Sequence, residues 1–155
     1  MLDKDGKLEY LGLDRYLRLH IWDEDGKSLW DSGEEMGGTN NMIDWSKEVP
    51  GPREFGTPLN SRAVLMDMDG DGNEEILVIQ NEARLKVLAT VTLYTKGKVV
   101  VYKTEGKSLM KVWESQTLDQ YIVDMQARDR TLFVATTRAK RQHITQGSGR
   151  IIWFE

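Results

Sequence analysis

The feature that most constrains the fold of this chain is that it repeats itself. Leu19 to Ser32, LHIWDEDGKSLWDS, can be laid on Val99 to Ser115, VVVYKTEGKSLMKVWES, and both read as strand, acidic-Gly-Lys-Ser-Leu turn, strand. Trp22 then matches Tyr102, and Gly26 matches Gly106. GRIIWF near the C-terminal end is a third copy of the first half, with Trp153 expected where Trp22 and Tyr102 stand. A unit of this length cannot bury its apolar face alone, so copies must stack on one another. Trp22, Trp30, Trp113 and Trp153 are therefore expected in packing between units rather than in a ligand cage.

A second element repeats beside the first. Val64 to Ile79, VLMDMDGDGNEEILVI, is an apolar run broken by a short acidic loop. Asp67, Asp69 and Asp71 occupy positions 1, 3 and 5, Gly72 turns the chain at 6, Asn73 can offer its carbonyl at 7, and Glu75 stands at 9. Alternating carboxylates on a tightly turned loop converge on one point, which suits a hard cation taking six to eight oxygens at roughly 2.3–2.6 Å. The alternative is a solvated acidic turn that binds nothing. Asp3, Asp5, Gly6 and Glu9 repeat the pattern, with Met1 where Asp67 stands, so the chain is expected to begin inside a degenerate loop whose first ligand is displaced. Between YIVDMQ and TLFVATT the corresponding connection is only Ala127 to Arg130, too short for five ligands.

Two other motifs share the opening of this loop. An EF-hand would need a bidentate Glu where Val78 stands, and helices on both sides. A phosphatase of the haloacid-dehalogenase type would use Asp67 as nucleophile and Asp69 as acid/base, but it requires Thr where Asp71 stands and an α/β alternation that does not follow.

Along the whole chain the apolar pattern has a period of two. The runs RYLRLHIW, SRAVLMD, EEILVIQ, KVLATVTLY, KVVVYK, LMKVWE, YIVDMQ, TLFVATT and RIIWF read as strands, and Asn40 to Lys47 is the one place for a helical turn. Strand, acidic loop, strand, strand, turn, strand is the order of a four-stranded antiparallel blade, so the expected fold is all-β, a partial β-propeller of about two and a half blades. A single propeller fragment would comprise a partial blade over 1–33, an insertion over 34–58, a full blade over 59–116 and a partial blade over 117–155. The insertion carries Met42, Ile43 and Trp45, an apolar group in polar surroundings that is a candidate partner anchor or a small satellite core. A second insertion, Asn81 to Gly97, lengthens a hairpin. Arg138, Lys140, Arg141 and His143 precede a Gly-Ser-Gly turn and read as a solvated hairpin tip. His20 alternates on a strand as an exposed or half-buried side chain.

Composition removes several function classes. The 155 residues are about one domain's worth, and a net charge of −4 offers no basic surface for nucleic acid. Absence of cysteine excludes disulfides and thiolate metal sites. No apolar run reaches the roughly 18 residues of a membrane span, and the N-terminal segment MLDKDGKLEY is not a signal peptide. Two distant histidines and serines confined to turns form no nucleophile constellation.

At DMDGDGNEEILVIQN, KGKVVVYKTEGKSLMKVWESQTLDQYIVDMQ and RIIWF the sequence resembles the FG-GAP and VCBS-type calcium-loop propeller repeats of integrin α-subunit heads and of bacterial extracytoplasmic proteins. The resemblance implies calcium on Asp67, Asp69, Asp71, the Asn73 carbonyl and Glu75, and a degenerate first site at Asp3, Asp5 and Glu9. It also implies a periplasmic, envelope-associated or secreted setting. The function it implies is a non-catalytic module that binds a protein or glycan partner, whose open edges are covered by further blades of a longer protein or by self-association. The alternatives are the propeller portion of a carbohydrate-active enzyme and a structural spacer.

Overall fold

Short β-branched runs bounded by Gly, Asp and Asn favour extended structure throughout. The computed structural model describes residues 6–44, 56–86, 92–138 and 148–154, and among them it has twelve strands and no helix. β1 (Tyr10–Leu13), β2 (Arg18–Trp22) and β3 (Ser28–Glu35) form a first sheet in that order. β4 (Met42–Asp44) and β5 (Gly56–Pro58) make a two-stranded ribbon. β6 (Val64–Met66), β7 (Glu75–Lys86), β8 (Thr92–Glu105) and β9 (Ser108–Glu114) form a second sheet of four. β10 (Tyr121–Arg128), β11 (Thr131–Thr137) and β12 (Gly149–Phe154) form a third. Every strand pair is antiparallel, and one isolated parallel bridge joins Gly37 to Gln80.

The sheets pack face to face, with the second in the middle. Leu77, Ile79, Val99 and Val101 point one way, onto Ile122, Met125, Leu132 and Val134 of the third sheet. Ile76, Val78, Val100 and Tyr102 point the other way, onto Leu19, Ile21 and Met36 of the first sheet and the segment after it. This is why ILVI and VVVY are apolar without alternation: a strand covered on both faces has no polar side. Each such side chain contributes roughly 1.5–3 kcal/mol on full burial.

The repeated sequences adopt matching geometry. Tyr10 lies opposite Trp22 and Leu13 opposite Leu19, as Ile76 lies opposite Tyr102 and Ile79 opposite Val99. The Ser32 hydroxyl accepts the Leu19 amide at 3.1 Å, and the Ser115 hydroxyl accepts the Val99 amide at 3.0 Å. Trp30 meets Tyr102 edge-on at 5.7 Å, and Trp113 meets Phe154 edge-on at 6.1 Å.

That last pair corrects the expectation for Trp153. In the third sheet Phe154, not Trp153, lies in the equivalent place of Tyr102. The register Leu132 to Phe154 puts both on the face toward the second sheet, and the neighbouring Trp153 turns outward, 62% exposed. Adjacent residues of a strand face opposite ways, so a shift of one exchanges the two faces. Trp22 also lies away from the central sheet, stacked on the His20 ring at 5.0 Å.

The helical turn expected from Asn40 onward is replaced, where residues are described, by the strand Met42–Asp44 paired with Gly56–Pro58. Asn40 explains why. Its side-chain amide donates to the Tyr94 carbonyl at 2.8 Å and its side-chain oxygen accepts the Tyr94 amide at 3.0 Å, so the segment leans on β8. The two insertions therefore touch each other. Asn81 extends this junction, donating to the carbonyls of Gly38 (2.7 Å) and Ile122 (2.9 Å) and accepting the Ile122 amide (2.9 Å).

Candidate metal centre

The acidic loop spans the connection from β6 to β7. Asp67 accepts the amides of Gly70 at 2.7 Å and Gly72 at 3.1 Å, Asp69 accepts that of Asp71, and Asp71 accepts both the backbone and side-chain nitrogens of Asn73. Short acidic side chains thus fold the loop on themselves, as Asp does in turns. Gly70 and Gly72 have φ of 77° and 84°, a left-handed backbone that makes the reversal possible in so few residues. The carboxylates of Asp67, Asp69 and Asp71 come within 4.8 Å of one another.

Glu75, the first residue of β7, is 2% exposed. One carboxylate oxygen accepts the Met68 amide at 2.7 Å, and the other, Oε1, is buried without a hydrogen-bond partner. Its nearest cation is the Lys103 ammonium at 3.6 Å, which also lies 2.9 Å from Asp69 and hydrogen-bonds Asp71. The hydrogen bond from Lys103, followed by that from the Asn73 amide, holds the Asp71 carboxyl down at about 2 from its ordinary 3.8. The same contacts, Asp71 first and then Asp69, push the Lys103 ammonium well above its ordinary value. An all-oxygen cluster with an orphaned buried carboxylate oxygen, balanced by an ammonium among its carboxylates, fits a cation. Asp67, Asp69 and Asp71 are the side chains that could hold it, and Glu75, expected as a further ligand, lies outside that group.

A second basic group reaches the loop from the neighbouring sheet. Arg130 donates to the Met68 carbonyl at 3.2 Å, and its guanidinium lies over Gly70. It belongs to the β10–β11 turn, where Arg128 and Thr131 pair and only Asp129 and Arg130 intervene, both at positive φ. This two-residue primed turn is the connection corresponding to the acidic loop.

The other expected residues are placed less completely. Asn73 braces Asp71 through its nitrogens. Of the first loop, Met1, Asp3 and Asp5 lie outside the described residues, and Glu9 lies just before β1. Trp45 lies outside them too, Met42 begins β4, and Ile43 is 42% exposed. Arg138 donates its amide to the Ser148 carbonyl at the base of the β11–β12 hairpin, while Lys140, Arg141 and His143 lie outside the described residues. The half-buried His20 bridges Asp14 and Ser28, both at 3.2 Å. Strands β6 and β7, not helices, flank the acidic loop, which overturns the EF-hand reading, and no described helix supplies the α/β alternation that the phosphatase reading needs.

Sequence reasoning missed Lys103 and Arg130. Lys103 is placed by register: with Tyr102 opposite Ile76, the next ladder position puts Lys103 beside Glu75, a pairing that the sequence does not give. Arg130 had no local signal, because it meets the loop only through packing of the third sheet on the second. Comparison with protein-family models, curated proteins and solved structures returned no match.

Proposed function

We propose that this chain is a non-catalytic, calcium-stabilised binding or scaffold module built as part of a β-propeller, acting outside the cytoplasm. The observation that carries the reading is the convergence of the Asp67, Asp69 and Asp71 carboxylates within 4.8 Å of one another, with the buried Oε1 of Glu75 making no hydrogen bond and facing the same Lys103 ammonium at 3.6 Å. Bringing these carboxylates together costs repulsion that a bound divalent cation converts into stabilisation. The stack supports the propeller part of the proposal. Successive sheets meet through the same edge-on aromatic contact, and the outward face of the third sheet remains apolar, with Phe133 39%, Ile151 66% and Trp153 62% exposed. In the second sheet the corresponding face is covered, so a further sheet of the same kind suits it.

Calcium at about one hundred times its Kd contributes about 2.7 kcal/mol, or a rise of about 5–10 °C in melting temperature for a chain of this size. EDTA is expected to reverse this shift, and Asp69→Ala to abolish the difference between calcium and EDTA. Identical melting curves of the unsubstituted chain with and without calcium would overturn the cation reading.

A further inference from the structure

The first sheet has three described strands and the second has four. The matching registers identify which strand is extra: β1 and β2 correspond to β7 and β8, so among the described residues β6 has no counterpart beside β1. In the second sheet β6 pairs with β7, placing Val64 opposite Leu77 and Met66 opposite Glu75. Its Val64 and Met66 reach the interface with the third sheet and pack in the cluster that holds Ile122 and Met125.

At the corresponding place between the first and second sheets there is a groove of about 800 Å³. One wall is β1, an edge strand among the described residues, with Leu11 and Leu13; the other is β6 and β7 with Leu65 and Ile76, and Ala63 just before β6. Leu65 is 54% exposed, although its ladder neighbour Ile76 is 2% exposed. The groove is continuous with the interface already formed by the two sheets, since Leu11, Leu13, Ala63 and Ile76 belong to its packed cluster. An edge strand beside an apolar groove accepts an added strand through main-chain hydrogen bonds, with alternate side chains filling the groove.

We infer that this groove is the docking site for an extended segment, separate from these 155 residues, that adds antiparallel to β1 as the fourth strand of the first sheet. The register of β6 on β7 states its chemistry. The side chain opposite Leu11 corresponds to Val64 and points into the groove toward Leu65, so bulky aliphatic residues are required at that position and at the one that corresponds to Met66. The inference rests on the propeller reading for the strand's identity and not on cation binding, so its failure is distinct from that of the calcium site.

The test is amide hydrogen exchange of the whole chain with a synthetic peptide copying Asn60–Asp69, and with the same peptide carrying Ser at the Val64 and Met66 positions. The expected result is slowed exchange over Tyr10–Leu13 with the first peptide, at least tenfold weaker binding of the second, and loss of the effect in Leu65→Arg. That variant should keep its melting temperature, because Leu65 is largely exposed. Three results would overturn the inference: no slowing with peptide, slowing that Leu65→Arg does not remove while the chain stays folded, or slowing without peptide that rises with protein concentration. The last would assign the groove to a second copy. A loop variant without calcium response leaves this readout interpretable.

Discussion

Lys103 is the residue on which the chemistry of the acidic loop turns. Its ammonium neutralises Asp69 and Asp71 and stands beside Glu75, the same charges that a divalent cation would use. The two cations therefore compete. Lys103→Gln is expected to raise calcium affinity at least about fivefold and to lower stability in EDTA, read by titration calorimetry and melting. Unchanged or weakened calcium binding would show that Lys103 and the metal do not share a site. The pH dependence follows from the same contacts. Asp71 is ionised more readily in the folded chain than in the unfolded one, so its contribution is complete above the ordinary 3.8 and is lost as pH falls toward about 2. Lys103 has the opposite sign: its contribution is complete below 10.5 and is lost as pH rises past that value. Acid unfolding in EDTA is expected to shift to higher pH in Lys103→Gln, and coincident acid transitions would contradict the ion pair.

At the scale of elements, the long hairpin of β7 and β8 organises the molecule more than its apolar residues suggest. Where it leaves the core, Asn81 fastens three segments at once, holding Gly38 from the first connection and Ile122 from the third sheet. Buried polar partners left unpaired cost about 1–3 kcal/mol each, though they relax and admit water at a partly buried site. Asn81→Ala is expected to lower unfolding free energy by about 2–3 kcal/mol and to speed exchange of the Ile122 amide, measured by urea unfolding and hydrogen exchange. A loss below about 0.5 kcal/mol would mean that the junction is held by packing alone. The hairpin itself was legible in sequence as a lengthened connection. The role of Asn81 was not, because its partners lie 41 and 43 residues away in the chain.

For the whole molecule, the stack makes the second sheet common to both cores. Leu132 is 0% exposed at one interface, whereas Ile151, on the adjacent strand and the opposite face, is 66% exposed. Leu132→Ala is expected to cost about 2–5 kcal/mol, and Ile151→Ala less than about 0.5 kcal/mol, in one cooperative urea transition. Comparable losses would mean that the outward face of the third sheet is covered in solution. The faces also explain what could be anticipated and what could not. Period-two runs, turn glycines and the doubled acidic loop made an all-β chain with a cation-like loop readable from residues near one another. The one-residue placement of Trp153 and Phe154 escaped, because both are aromatic and only the register against β11 decides which one turns inward.

The sequence by itself determined most of the strands, the repeating hairpin and the three aspartates of the loop, since each depends on propensity and spacing over a few residues, whereas β1, β4 and β5 were not read from it. Tertiary structure alone decided that an ammonium from β8 and a guanidinium from the next sheet attend that loop. It also decided which aromatic of each sheet meets its neighbour, and that a groove of about 800 Å³ opens between β1 and β6. These features arise from the stacking of sheets distant in sequence, where face and register, rather than local composition, set which side chains meet.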